Sequence, residues 1–105
     1  MIVKNRIKKH SEFQKVIAEG ELVRTNFFTV YTLKNNLGYS RFGISVPKKT
    51  GTAVVRNKVK RQIRACIAAL SNYESSVDTV LIVRKSYDVN KFILIKEDIQ
   101  TILKK

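Results

Sequence analysis

Residues 53–67, AVVRNKVKRQIRACI, hold five cations within nine positions (Arg56, Lys58, Lys60, Arg61 and Arg64) and thread aliphatic side chains between them. Advancing about 100° per residue, Val55, Val59, Ile63, Cys66, Ile67 and Leu70 fall within one arc of roughly 120°. Lys60, Arg61 and Arg64 take the neighbouring arc with Asn57, Arg56 stands at its boundary, and Lys58 points further round. A helix sorts these residues into two sides. One side must dock on a sheet, and the other carries a cationic stripe.

A solvated helix face usually interleaves Glu with Lys, because opposite charges at i,i+4 support the helix. This one does not. From Arg41 to Arg64 there are eight basic residues and no acid. Residues 1–64 hold 15 Lys and Arg against three Glu, whereas residues 65–105 hold six against five acids. The charge therefore belongs to one place on the fold. Cations about one turn apart meet successive phosphates, and counterion release drives that association. Lys48 and Lys49 precede the helix N-terminus, where free amides already favour an anion.

The totals agree. A chain of 105 residues builds one domain with one core, and at 44% hydrophobic residues it folds. A net charge of +13 calls for a polyanionic partner, either nucleic acid or an anionic membrane surface. No apolar run approaches the ~20 residues of a spanning helix, and no signal peptide is expected. One cysteine, Cys66, makes no internal disulfide, which suits a reducing cytosol. The expectation is a soluble, cytoplasmic protein.

Periodicity supplies the other elements. SEFQKVIAEG begins with a Ser-x-x-Gln capping pattern at Ser11 and Gln14, carries Phe13, Val16 and Ile17 at helical spacing, and stops at Gly20. NFFTVYTL (26–33) and YSRFGISV (39–46) read as strands, and the turn KNNLG between them predicts an antiparallel hairpin. ELVRT (21–25) supplies a short edge strand, and Pro47 ends the second hairpin strand. Thr52 caps the basic helix, which runs to about Leu70. DTVLIVRK (78–85) is apolar throughout, as expected of a strand covered on both faces. A last helix spans roughly 90–104, with Asn90 as cap and Phe92, Ile95, Ile99, Ile102 and Leu103 on one face. The order αβββαβα on one sheet gives a single-domain α+β sandwich.

Alternation on the first long strand sends Phe27, Thr29, Tyr31 and Leu33 to one side and Phe28, Val30 and Thr32 to the other. The side away from the basic helix either packs on the first helix through Phe13 and Ile17 or stays partly open as a cleft. An open cleft with Phe13 and Tyr31 beside Arg41 would suit an unpaired strand, whose bases stack on rings. Plain core is the competing reading for both rings.

Protein-borne catalysis finds no candidates. His10 is the only histidine and lies in a charged stretch. Glu97 and Asp98 are adjacent and so splay about 100° apart on a helix. Cys66 lies on the apolar arc as a filler, and neither a phosphate-binding Gly-rich loop nor a zinc spacing is present.

RNKVKRQIR (56–64), preceded by FGISVPKKTGTAVV (42–55), resembles the Arg-Asn-Arg signature of the ribonuclease P protein component family. The likeness extends from NRIKKHSEFQKVI through FTVYTL to the last helix. Two positions depart from the family pattern: Lys58 replaces the second Arg of the signature, and Ile17 stands where some members have an aromatic. The resemblance implies a ribosomal protein S5 domain 2-like fold with a left-handed βαβ crossover between strands 39–46 and 78–83. It implies a protein subunit that assists endonucleolytic removal of the 5′ leader from precursor tRNA. Lys49, Arg56, Asn57, Lys58, Lys60, Arg61 and Arg64 would dock on ribonuclease P RNA, and Phe13, Ile17 and Tyr31 would hold the leader. The chemistry would rest with the RNA and its Mg2+ ions; no metal held by protein ligands alone, no membrane and no protein partner is implied. A structural ribosomal protein bound to one rRNA site is the alternative, and a DNA-binding or membrane-surface module a more distant one.

Overall fold

In the computed structural model, which describes residues 5–71 and 73–103, the apolar run Val77–Val83 takes the middle of the sheet. Asp78, Thr79, Val80, Leu81 and Val83 along it are all buried. The described residues form, in chain order, α1 (His10–Glu19), β1 (Glu21–Arg24), β2 (Phe28–Lys34), β3 (Arg41–Ser45), α2 (Ala53–Leu70), β4 (Val77–Val83) and α3 (Phe92–Leu103). The expected αβββαβα order holds, and Thr52 caps α2 by accepting from the Val55 amide at 3.3 Å.

The strands lie in the order β1-β2-β4-β3. β1 and β2 are antiparallel, β2 and β4 are antiparallel, and β3 and β4 are parallel, joined by a crossover through α2. The expected β2–β3 hairpin is therefore wrong, because β4 lies between its two strands. A strand apolar on both faces gains most from a central place, and it displaces a pairing that only a short connection suggested. The connection at 34–40 bridges the end of β4 instead. The Asn35 amide donates to Ser76 O at 2.9 Å, and the Ser40 amide to Tyr73 O at 3.0 Å.

Two layers of helix cover the sheet. On one face Val59, Ile63, Cys66 and Ile67 of α2 and Ile95, Ile99 and Ile102 of α3 pack on Phe28, Val30, Phe42, Leu81 and Val83. On the other, α1 sets Val16 on Val80, with Phe13, Ile17, Tyr31, Leu33 and Ile82 around them. Phe27, expected beside Tyr31, joins the α2–α3 layer. It precedes β2, its amide donates to Asp98 Oδ2 at 3.1 Å, and its ring meets Tyr87 edge-on.

Helix starts differ from expectation in detail. α1 begins at His10, so Ser11 lies inside its first turn and makes no cap; Lys9 holds the cap position without a side-chain bond. The chain before it is tied to β3, where Arg6 bridges Phe42, which leaves only Lys8 and Lys9 for the turn into the helix. Gly20 ends α1 as expected, since a Cβ there would sit 2.3 Å from Val16 O. Asn90 does not cap α3. Its amide is held by Asp88 Oδ1 in the preceding turn, and Lys91 O accepts the first helical bond, from Ile95. Phe92 and Val55, expected on the buried faces, are 43% and 39% exposed, each in a first turn. Residue 104, the expected end of α3, lies outside the described residues.

Candidate nucleic-acid interface

The buried arc of α2 is Val59, Ile63, Cys66 and Ile67. Arg56, Lys60 and Arg64 follow one another at four-residue intervals beside it and are half-buried, while Asn57, Lys58 and Arg61 stand further out and are exposed. Lys48 and Lys49 are exposed on the 3-10 turn, Lys48–Thr50, that leads into the helix. All seven positions expected to dock RNA thus fall on one helix and the turn before it. Both Glu12 and Asp78 give their ion pairs to Arg41, on the far face of the sheet. Burial first, and the charge of Arg6 second, push the Arg64 guanidinium below its ordinary pKa. Arg6 was not among the expected site residues. The signal for it is the alternation of Asn5, Arg6 and Ile7, which reads as a strand only once a sheet edge is there to pair with.

The second surface lies under α1. Register places Leu33, Asp78 and Arg41 in one cross-strand row, Tyr31, Val80 and Gly43 in the next, and Thr29, Ile82 and Ser45 in a third. Glu12 reaches Arg41 in the first row, and the Phe13 ring lies over Gly43 in the second, where a Cβ would sit 2.7 Å from Phe13 Cε2. Phe13 and Ile17 lie one turn apart on α1, and the residues of the third row are partly exposed. Phe13, Ile17 and Tyr31 come together around Val16 and Val80, each half-buried. They rim the core under α1 and keep part of their surface open to solvent.

Arg41, expected beside an open cleft, is not a free cation. Its Nε donates to Asp78 Oδ1 at 2.9 Å, one Nη to Asp78 Oδ2 at 2.6 Å, and the other to Glu12 Oε2 at 2.9 Å. The Asp78 hydrogen bond, opposed by burial and aided by Glu12, raises the guanidinium pKa above its ordinary value.

Cys66 is free and buried, and burial pushes its thiol pKa up. Asp98 holds the Phe27 amide and Glu97 is exposed. Among the described residues no group of three or more His, Cys, Asp or Glu converges as metal ligands, and no helix is long and apolar enough to cross a membrane.

The ribonuclease P family model matches residues 1–105. A ribonuclease P protein component from Mesoplasma florum is 47% identical over 91 residues, 85% of this chain and 83% of that protein. Solved structures agree. That of a Staphylococcus aureus RNase P protein mutant with defective mRNA degradation activity gives a TM-score of 0.87 at 35% identity, covering 96% of this chain and 86% of the other. The RNase P protein from Thermotoga maritima gives 0.83 at 32% identity, covering 94% of each. A match along the whole chain, carried by the αβββαβα sandwich and its acid-free helix, sets aside the ribosomal alternative. The chain belongs to the ribonuclease P family, as its protein component.

Proposed function

We propose that the chain acts as one RNA-binding domain within a cytoplasmic RNA–protein endoribonuclease. Lys49, Arg56, Asn57, Lys58, Lys60, Arg61 and Arg64 dock on ribonuclease P RNA. Phe13, Ile17 and Tyr31 line the path of the 5′ leader of precursor tRNA. Lys58 contributes a point charge without the bidentate fork of an arginine. The observation that carries this reading is the α2 face itself, with five cations in nine residues and no acid between Arg41 and Arg64.

The protein then works by electrostatics and positioning. Two polyanions, the RNA subunit and its substrate, repel; a protein of net charge +13 between them offsets that repulsion. Hydrolysis of the phosphodiester belongs to the RNA, whose phosphates hold the Mg2+ that such chemistry uses to activate water and steady the leaving oxygen. The leader is held as a single strand, its bases against the rings of Phe13 and Tyr31.

Equilibrium binding to ribonuclease P RNA across a salt series tests the docking face. Arg61→Ala and Arg64→Ala should each reduce the slope of log K against log salt by about 1. Folding should be nearly unchanged, since neither residue is on the buried arc. A loss of affinity equal at low and high salt would rule out phosphate contacts.

A further inference from the structure

Residues 5–7 lie along the outer edge of β3. Arg6 bridges Phe42 in parallel register, and the Ile7 amide donates to Phe42 O at 3.0 Å. Both neighbours of Arg6 are anchored. Asn5 is fully buried with its Nδ2 donating to Ser40 O at 2.7 Å, and Ile7 is buried in the cluster under α1. Alternation along an extended segment then turns Arg6 to the α2 side. There it meets Arg64, whose guanidinium feels its charge.

Two arginines from separate elements thus face the same side of the sheet, and the anchors on either side of Arg6 fix its place there. The fold treats them unlike Arg41, which receives Asp78 and Glu12. A carboxylate near Arg64 would raise its pKa; the shift runs the other way, from burial and from Arg6. The Nε groups of Arg6, Arg64 and Arg56 are each shut off from solvent without a hydrogen-bond partner. Like charges and idle donors are both costs in the free protein. One diester phosphate between the guanidinium groups would offset the like charges, and a turn of the side chains would bring the Nε donors to it, because guanidinium donors match phosphate oxygens in pairs.

We propose that Arg6 and Arg64 form a clamp for a single phosphodiester of the RNA partner, so that the N-terminal segment and α2 grip one phosphate together. The clamp rests on the RNA-docking reading of α2 and adds to it a residue 58 positions away in the chain. It also explains why the segment is stitched to the β3 edge: the stitch sets the distance between the forks.

The salt slope counts phosphates neutralised, not arginines. Binding of the full chain to ribonuclease P RNA is therefore measured across a salt series for Arg6→Ala, Arg64→Ala, the double variant and Arg61→Ala. Arg6→Ala should weaken binding about fivefold or more near 0.1 M salt. The double variant should reduce the slope by about 1, as for one shared phosphate, and should lose less affinity than the product of the single losses. A slope change of about 2 with multiplying losses would mean two separate phosphates and overturn the clamp. Wild-type affinity in Arg6→Ala, with Arg61→Ala weakened, would overturn the clamp alone; wild-type affinity in both would remove the docking face as well. Thermal melting of free Arg6→Ala guards against a folding defect, since relief of like charges should leave its Tm unchanged or higher. If it falls, Arg6→Gln, which keeps part of the stem and removes the charge, takes its place with the same expected loss of affinity.

Discussion

Tyr31 sits in the row with Val80 and Gly43, half-buried, with its neighbours Phe13 and Ile17 on the flank of α1. A ring so placed packs partly on the core and is partly open to solvent. If single-stranded leader passes there, stacking contributes about 1–3 kcal/mol per ring. Tyr31→Ala should then weaken binding of precursor tRNA bearing a leader of several nucleotides, with little effect on mature tRNA. Tyr31→Phe should keep most of the affinity where stacking dominates. The measurement is the ratio of Kd values for the two substrates on the assembled complex. An unchanged ratio in a stably folded Tyr31→Ala would return the residue to the core. Gly43 belongs to the same argument, since only a residue without Cβ lets the Phe13 ring lie so close to β3.

Elements are positioned by ties that differ greatly in strength. Arg41 joins β3 to β4 through Asp78 and to α1 through Glu12, with side-chain exposures of 15%, 8% and 37% respectively. Removing Asp78 leaves a largely buried guanidinium without its main partner, together with the Asn35 amide that also donates to it, and such losses run about 3–5 kcal/mol. The more exposed Glu12 contributes under about 1 kcal/mol. Asp78→Ala should thus lower the urea midpoint strongly and Glu12→Gln barely. Glu12→Gln should still lower the leader-dependent Kd ratio, because α1 carries Phe13 and Ile17. A large stability loss in Glu12→Gln, or none in Asp78→Ala, would contradict this division. The same ties show what could be read from sequence. α2 was legible to within a residue, cap included, because a capping Thr and a helical stripe are local. The β2–β3 hairpin was not, because Arg41 meets Asp78 across 37 positions and adjacency in the chain gave no hint of it. Yet the apolar run of β4 already argued for a strand covered on both faces, and such a strand gains most from a central place. The residues proposed to dock RNA were legible as one face; the place of Arg6 was not, since it is set only after the β3 edge exists.

For the whole molecule, the groups that the fold keeps neutral set its alkaline limit. Burial raises the pKa of Cys66, Tyr73 and Tyr87. The Tyr87 hydroxyl donates to Gln62 Oε1 at 2.9 Å, and its ring meets Phe28 edge-on. Each raised group is protonated in both states at neutral pH. As pH climbs past the ordinary values, about 8.5 for Cys and 10 for Tyr, the unfolded chain releases protons that the folded one retains. Stability is therefore complete below about pH 8 and falls from there toward the folded-state values. Urea midpoints between pH 7 and 10.5 should decline, and Tyr87→Phe should flatten the decline while losing its hydrogen bond at every pH. A flat profile for the unaltered chain would show that these groups titrate as freely in the fold as out of it.

The strand order has a consequence for how the chain is made. β4 is the last strand in the sequence and lies between β2 and β3, so a growing chain that has not yet reached residue 77 holds two strands with a strand-wide gap between them. The cationic segment 41–64 precedes β4 and is already synthesised while that gap is open. Closing the sheet pairs residues 37 to 55 positions apart in the chain, a non-local step of the kind that slows folding. α2 spans the interval between two neighbouring parallel strands, so its charged face is aimed only when the last strand arrives. On the docking proposed for α2, contact with RNA is deferred until synthesis has passed residue 83, and a fragment ending before 77 carries most of the charge of the protein without the surface that directs it.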